Sequence, residues 1–578
     1  MRRRYWVIPA LVVVLAFVAY AGWRVWQVRS DLTAAQNDAT RLRSALTAGD
    51  QSAAESALAD LKEHSTSAAE RTDGPLWSTF GVLPLFGDDA DGVKVVSDVL
   101  ADLSEKGLPP LVDSAADLEA GSFTPRDGRL SIAALESTQA PIDNASGSFT
   151  DADARLSRVD SENFVGSFKA SFDDLADQIH RASRSMDAAS TATDVLPTML
   201  GKDGKRRYLL VFQNNAELRS SGGLPSAGAI VTTDDGKIEM VRQVTAGDFP
   251  YLEGKPPTPI TAEETALFGR QVGDYFQDAN FTPHFPRTAE LMAAHWKREF
   301  KQDLDGVMSI DPVALSYLMK GTGPMTIDGV QLTSENAVDE LLNKIYVRVQ
   351  DPVAQNEFFA HVAKAVFDKF AAGAASPQKL LEGLARSAEE HRLLVTSFDE
   401  TEEEVISDTV VAGRFLDESD GPRVGVYLND GTGSKMSYYL DYDVSVHTTG
   451  CAKGAQRYSG KVKMLSDTPE GIADLSEYVT GPGDAIVPKG DMFLAMHIYA
   501  PEGGRFNGVF LDGQELPVTY LEHEGHEVAS LSLLFHPNDR REVTFRMVGA
   551  EGAEGDTRVD VTPGTAAENE SSSVTSSC

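Results

Sequence analysis

"YLLVFQNNAELRSSGGLPSAGAIV" occupies Tyr208 to Val231. Its first five residues are the apolar run of a buried β-strand. Two asparagines, a glutamate, an arginine and a pair of glycines follow, and then the chain turns apolar again. A rigid strand that ends in a polar loop is where proteins commonly mount binding groups. The stretch therefore predicts a sheet with a candidate site at one strand end.

The surroundings extend that reading. Just before it, "MLGKDGKRRYLLVF" changes period from helix to strand, and GKDGK is a turn that lacks the spacing of a phosphate-binding loop. Beyond it, "KIEMVRQV", "GVMSID" and "GPMTID" are strand-like. "TAELMAAHWKREF", "DPVALSYLMKGTG", "SENAVDELLNKIYVR" and "QNEFFAHVAKAVFDKFAAG" have helical spacing. This alternation predicts a central α/β domain over residues 201–405. From about Val410 alternating strands cut by Gly, Asp and Pro turns take over, which predicts an antiparallel β-sandwich over 406–552. The acidic, Ser-rich end, 553–578, reads as a disordered tail.

Toward the N-terminus the pattern is helical. Leu32, Leu42, Leu46, Leu58 and Leu61 suggest a stalk interrupted at Gly49. Phe164, Phe168, Phe172, Leu175 and Ile179 form one apolar stripe, so residues 28–200 are expected to be a helical stalk and bundle. Residues 1–27 read as a basic leader and a transmembrane helix: "MRRR" precedes an uncharged run from Tyr5 to Trp23, with aromatic residues at both ends. A cleaved signal peptide ending at Ala19-Tyr20-Ala21 is the competing reading. The expectation is a single-pass protein of the cell membrane, touching the bilayer through residues 5–26. Its N-terminus would be cytoplasmic and its bulk extracytoplasmic.

Composition narrows the function. The 578 residues include 52 Lys and Arg against 87 Asp and Glu, a net charge of −35. No basic stripe in the sequence offsets this acidity, which argues against nucleic-acid partners. The two cysteines, Cys451 and Cys578, allow one intramolecular disulfide in an oxidising compartment, and a free or intermolecular thiol stays open.

"YLEHEGHEV" (Tyr520 to Val528) holds His523 and His526 among glutamates, but it is not a zinc-binding helix pattern; it reads as a solvent-facing strand or hairpin. No nucleophile elbow is present. The candidate ligand-binding set is spread over the α/β domain. Asn215, Glu217 and Arg219 lie in the opening stretch. Arg242 lies near the end of the "KIEMVRQV" strand, six residues before Asp248, Asp278 starts "DANFTPHFP", and Arg348 and Asp351 lie in "YVRVQD". Arginine presents a planar fork suited to phosphate or carboxylate, and aspartate can hold a divalent ion. The alternative is that Asn215, Glu217 and Arg219 form a structural network at the strand ends.

"LLVFQNNAELRSSGGLPSAGAIVTTDDGKIEMV", "DANFTPHFPRTAELMAAHW", "DGVMSIDPVALSYLMKGTGPMTIDG" and "YLNDGTGSKMSYYL" together resemble the bacterial family called domain of unknown function 4012. The order of strands and the helix-turn-strand "DGVMSIDPVALSYLMKGTGPM" is also similar to the LytR–CpsA–Psr domain. That resemblance implies a wall-facing protein that moves glycopolymers from polyprenyl pyrophosphate to peptidoglycan, with arginines on the pyrophosphate and an Asp on Mg²⁺. Arg219 matches the family's first arginine, but its Arg-Ser-Asp-Thr reads Arg219-Ser220-Ser221-Gly222 here. Asp248, Arg348 and Asp351 match in part, and an Arg-Gln pair reads Ala354-Gln355.

Together these readings predict non-catalytic binding or organisation of cell-wall glycopolymers or their polyprenyl-phosphate carriers, with no cofactor. A divergent phosphotransferase, which would need Mg²⁺, is the enzymatic alternative. A protein-binding envelope scaffold is the third.

Overall fold

The computed structural model describes residues 7–80, 87–117, 125, 128–373, 376–418, 421–553, 555–566 and 572–578, and side chains ahead of Gly22 lie outside that description. The chain forms two compact units, residues 1–124 with 131–197 and residues 125–130 with 198–578.

The first unit is helical. Helix Val7–Ala48 is followed at once by helix Gln51–Thr72, whose first turn is capped by Asp50 accepting from the Ala53 amide at 3.0 Å. Gly49, at φ +70°, makes the reversal between them. The two helices double back on each other instead of forming an extended stalk, burying Ala35, Leu42 and Ala45 against Ala54, Ala57 and Leu61. A second cluster joins Phe164, Phe172 and Ile179 to Val96, Val99 and Leu103.

The expected transmembrane helix is corrected here. Among the described residues no helix is long and apolar enough to cross a membrane. From Gly22 onward the first helix carries Arg24, Arg29, Asp31 and Asp38 and turns Ala35, Leu42 and Ala45 toward its neighbour. The side chains of Tyr5 to Ala21 lie outside the described residues.

The second unit is built on three large sheets. The first takes β1 (Arg206–Arg219), β2 (Gly222–Asp234), β3 (Lys237–Thr245), β4 (Gly306–Ile310) and, after the small hairpin β5 (Met325–Ile327) and β6 (Val330–Leu332), β7 (Leu393–Ser397). Its order is β3-β2-β1-β4-β7, with β1 and β4 parallel and the other neighbours antiparallel.

β8 (Arg423–Asp430), β9 (Leu440–Ala452), β10 (Ala455–Ser466), β11 (Met492–Tyr499), β12 (Arg505–Leu511) and β13 (Gln514–Glu515) follow. β14 (Thr519–His523), β15 (His526–Phe535), β16 (Arg540–Val548), β17 (Thr557–Val561) and β18 (Ser572–Val574) complete the chain. They make two sheets, β13-β12-β16-β10-β9 and β14-β15-β11-β8-β17-β18. Val426, Leu428, Met496 and Leu531 of one meet Val462, Met464, Phe545 and Met547 of the other in a shared core.

Two details differ from the sequence reading. The sandwich is not purely antiparallel: β17 runs parallel to β8, because the chain reaches it by crossing over from β16 in the opposite sheet. The segment expected as a disordered tail supplies β17 and β18, and Val559 and Val561 lie in the core. Its Ser-rich composition hid one short apolar alternation, Val559 and Val561.

β1 is the element that positions the site. Leu209 and Val211 lie in a core shared with helix Phe285–Phe300, while Leu218, at its far end, lies in the core of the two β-rich sheets. One strand thus runs from one core into the other.

Candidate functional site

The polar cluster is the tip of the β1–β2 hairpin. Arg219 is the last residue of β1, not part of a loop; the turn is Ser220-Ser221 alone. β1 pairs with β2 regularly to Phe212↔Ala227, slips by one residue on β2 at Gln213↔Pro225, and after Asn214↔Leu224 jumps to Leu218↔Gly223, so Asn215, Ala216 and Glu217 are a bulge without partners on β2. Gly223 makes the bulge possible: a Cβ there would stand 2.2 Å from the Asn214 carbonyl carbon.

The hairpin tip is enclosed. Arg219 is only 4% exposed. Its Nη2 donates to Glu217 Oε1 at 3.1 Å and to Asp278 Oδ1 at 3.2 Å, and its Nη1 donates to the Leu218 carbonyl at 3.0 Å. Its guanidinium lies 4.6 Å from the centre of the Phe281 ring. The other Glu217 oxygen accepts from the Lys435 ammonium, itself buried beside the Tyr478 ring. Ser220 is held from both sides, its amide donating to Asn429 Oδ1 at 2.9 Å and its hydroxyl to the Phe281 carbonyl at 2.6 Å.

Asn215 opens a second network. Its Nδ2 donates to Asp311 Oδ2 and to the Pro563 carbonyl, both at 3.0 Å. Arg392, also buried, donates from Nη1 to the same Asp311 oxygen at 2.8 Å and to the Gly564 carbonyl at 2.9 Å. Its Nε reaches Glu390 Oε2 at 2.6 Å. Residues 562–566 are thereby strapped across the hairpin tip.

Two cations and three carboxylates meet in this first network, and their proton affinities follow. Burial would raise Glu217, but Lys435 and Arg219 outweigh it and hold the carboxyl below its ordinary range. Asp278 is raised by burial despite Arg219. Asp430 is raised to about 6 by burial and then by the Glu217 charge, although it accepts the Thr432 and Gly433 amides.

Of the residues expected from sequence, the structure brings together Asn215, Glu217, Arg219 and Asp278. Arg242, Asp248, Arg348 and Asp351 stand apart from them. Arg242 lies on the exposed face of β3 with its guanidinium 4.0 Å from the Phe300 ring centre. Asp248 accepts from the Thr245 amide at 2.7 Å and closes a turn. Arg348 pairs with Glu340, and Asp351 caps helix Pro352–Ala371 through the Val353 amide at 3.0 Å. Asp430, Lys435 and Arg392 were not singled out. The first two sit in the quoted "YLNDGTGSKMSYYL", where charges flanking glycines at a strand end were the available signal.

His523 and His526 are corrected as well. They flank the turn of the β14–β15 hairpin as expected, but both are buried. His523 Nδ1 lies 3.0 Å from the Tyr499 hydroxyl, and His526 Nδ1 lies 2.9 Å from the Ala500 carbonyl. With His497, which stacks on Phe268 at 5.4 Å, they are packing residues. Burial lowers His497 and His523 to about 4, so these rings are neutral at physiological pH.

A divalent ion does not fit the hairpin tip. Ser220-Ser221-Gly222 supplies no carboxylate, and Glu217 and Asp278 are already bonded to Arg219. Among the described residues no group of His, Cys, Asp and Glu is arranged to bind a metal.

These features define an α/β sheet whose β1–β2 hairpin tip enters a two-sheet β-rich half, with an internally paired charge network where they meet. Residues 203–346 match the family described as protein of unknown function (DUF4012). No curated protein and no solved structure matches the chain.

Proposed function

We propose that this chain is a non-catalytic extracytoplasmic protein that binds or organises cell-envelope glycopolymers or their polyprenyl-phosphate carriers. The observation that carries the non-catalytic part is the Arg219 environment. Phosphoryl transfer needs cations aimed at the reacting group. Here the Arg219 donors are directed inward, to Glu217, Asp278 and main-chain carbonyls. The Cys451–Cys578 disulfide supports the compartment, because such bonds persist in oxidising surroundings.

The test is a transfer assay with a polyprenyl-pyrophosphate-linked glycan donor and Mg²⁺, on the wild type and on Arg219→Lys at matched melting temperature. No transfer by either protein is expected, with glycopolymer binding retained by both. Mg²⁺-dependent transfer that Arg219→Lys abolishes would overturn the reading in favour of a phosphotransferase.

A protein-binding scaffold is the second reading. It is favoured by the stacked pair Tyr251 and Tyr275, centroids 4.5 Å apart and 51% and 36% exposed. It requires that Tyr251→Ser with Tyr275→Ser abolish co-purification of a defined envelope protein.

A further inference from the structure

The acidity of the chain is not uniform over its folded surface. β10 points Tyr458, Val462 and Met464 into the core and therefore turns Arg457, Ser459, Lys461 and Lys463 outward. Pairing with β16 sets Ser459 opposite Arg546 and Lys461 opposite Thr544. Pairing with β9 sets Ser459 opposite His447 and Lys461 opposite Ser445. On these three strands the outward positions hold Arg457, Lys461, Lys463, Arg540 and Arg546 against Asp441, Asp443 and Glu542. This face is thus cationic in a protein with 52 basic and 87 acidic residues.

Some of those cations are committed and others are not. Lys461 pairs with Glu542 at 3.3 Å. Arg546 lies 5.3 Å from the centre of the Phe510 ring and pairs with no carboxylate among the described residues. Arg457 and Lys463 likewise have no ion pair among the described residues, and all three are exposed.

We propose that this open sheet face is the contact surface for an anionic saccharide polymer. The proposal rests on the function given above and locates its binding surface away from the hairpin tip. Charge complementarity carries it. At physiological salt the screening length is about 8 Å, so a polymer lying on the sheet meets chiefly the face's own charges, in which the cations outnumber Asp441, Asp443 and Glu542, and little of the acidic surface elsewhere. Outward residues recur about every 7 Å along a strand, and neighbouring strands are about 4.8 Å apart. Cations on such a lattice suit a chain that repeats its charge at intervals. Arginine forks engage phosphate, sulfate or carboxylate, and Ser445, Ser459 and Thr544 between them offer hydroxyls to sugar hydroxyls. The disulfide joins Cys451, at the end of β9, to the last residue of the chain, which ties down this sheet edge in an oxidising compartment.

The test uses the full chain and three probes, dextran sulfate, uncharged dextran of the same backbone and phosphatidylglycerol vesicles, by titration calorimetry at low and physiological salt. The face variant is Arg457→Ser, Lys463→Ser and Arg546→Ser. A control removes the same charge elsewhere, through the exposed Lys106, Lys297 and Lys364, each mutated to Ser. The expected result is binding of dextran sulfate alone by the wild type, weakened at least tenfold by the face variant and less than twofold by the control. Equal binding by wild type and face variant would overturn this inference and leave the function reading standing. So would equal losses in the face variant and the control. Binding only to phosphatidylglycerol vesicles would assign the face to lipid headgroups and overturn the polymer. No binding of any polyanion by the wild type would sink the inference together with the glycopolymer reading.

Discussion

Lys435 and Glu217 lie 218 positions apart in the chain and form a buried ion pair that joins the β1 bulge to the segment following β8. Glu217 simultaneously accepts from Arg219, so removal of either cation leaves a carboxylate without water and without its full set of donors.

Breaking that pair from one side is costly. Lys435→Met should destabilise the protein by about 3–5 kcal/mol, because it strands a buried charge. Adding Glu217→Gln should recover a large part of the loss. Urea unfolding of the two single variants and the double variant measures both effects. A loss below about 1 kcal/mol in Lys435→Met would show the pair to be solvated in solution.

Asp430 gives the network a dependence on pH. Its folded pKa, about 6, lies above the ordinary carboxylate value, so the folded state holds the proton more tightly. Its stabilising contribution is complete at acid pH, below about 4, and disappears as pH rises through about 6. Glu217 has the opposite sign: its lowered pKa contributes stability above the ordinary glutamate range, which is lost as pH falls through that lowered value. The wild type should therefore lose stability relative to Asp430→Asn as pH is raised from 4 to about 6. Urea midpoints collected across that window test it, and a constant difference would refute it.

The buried histidines act in the other direction. His497 and His523 are lowered to about 4, so the folded state prefers them neutral. Stability is full above the unfolded histidine value, about 6.5, and falls as pH drops toward 4. His497→Phe keeps a ring against Phe268 and removes the titration. It should raise the melting temperature more at pH 5 than at pH 7.5. An equal change at both values would mean that His497 does not titrate with folding.

The Cys451–Cys578 bond spans 127 positions of sequence. Cross-links over long loops typically contribute about 2–4 kcal/mol. Reduction, or Cys578→Ser, should lower the melting temperature by several degrees and leave the far-ultraviolet spectrum unchanged. Identical melting with and without reductant would show that the tail holds without its bond.

The sequence was informative where structure is local. The apolar run at Tyr208–Phe212, the helical stripe from Phe168 to Ile179 and the β-rich composition after Val410 each announce the element found there. What escaped is what distant segments contribute. The partners of Asn215 and Glu217 come from Asp311, Lys435 and Pro563, and nothing in the hairpin's own residues marks them. The cationic sheet face escaped for a related reason: Arg457, Lys463 and Arg546 are unremarkable in sequence and become one surface only when strand register aligns them.

That β1 enters both cores has a consequence for how the chain can be made and divided. During synthesis its bulge emerges long before residues 430–435 and 562–566, so Glu217 and Asn215 must wait, hydrated, for partners near the C-terminus. A fragment ending at residue 405 would carry a finished strand with an unsatisfied tip. The α/β half and the β-rich half of the second unit are therefore expected to melt as one cooperative block, in a single calorimetric transition.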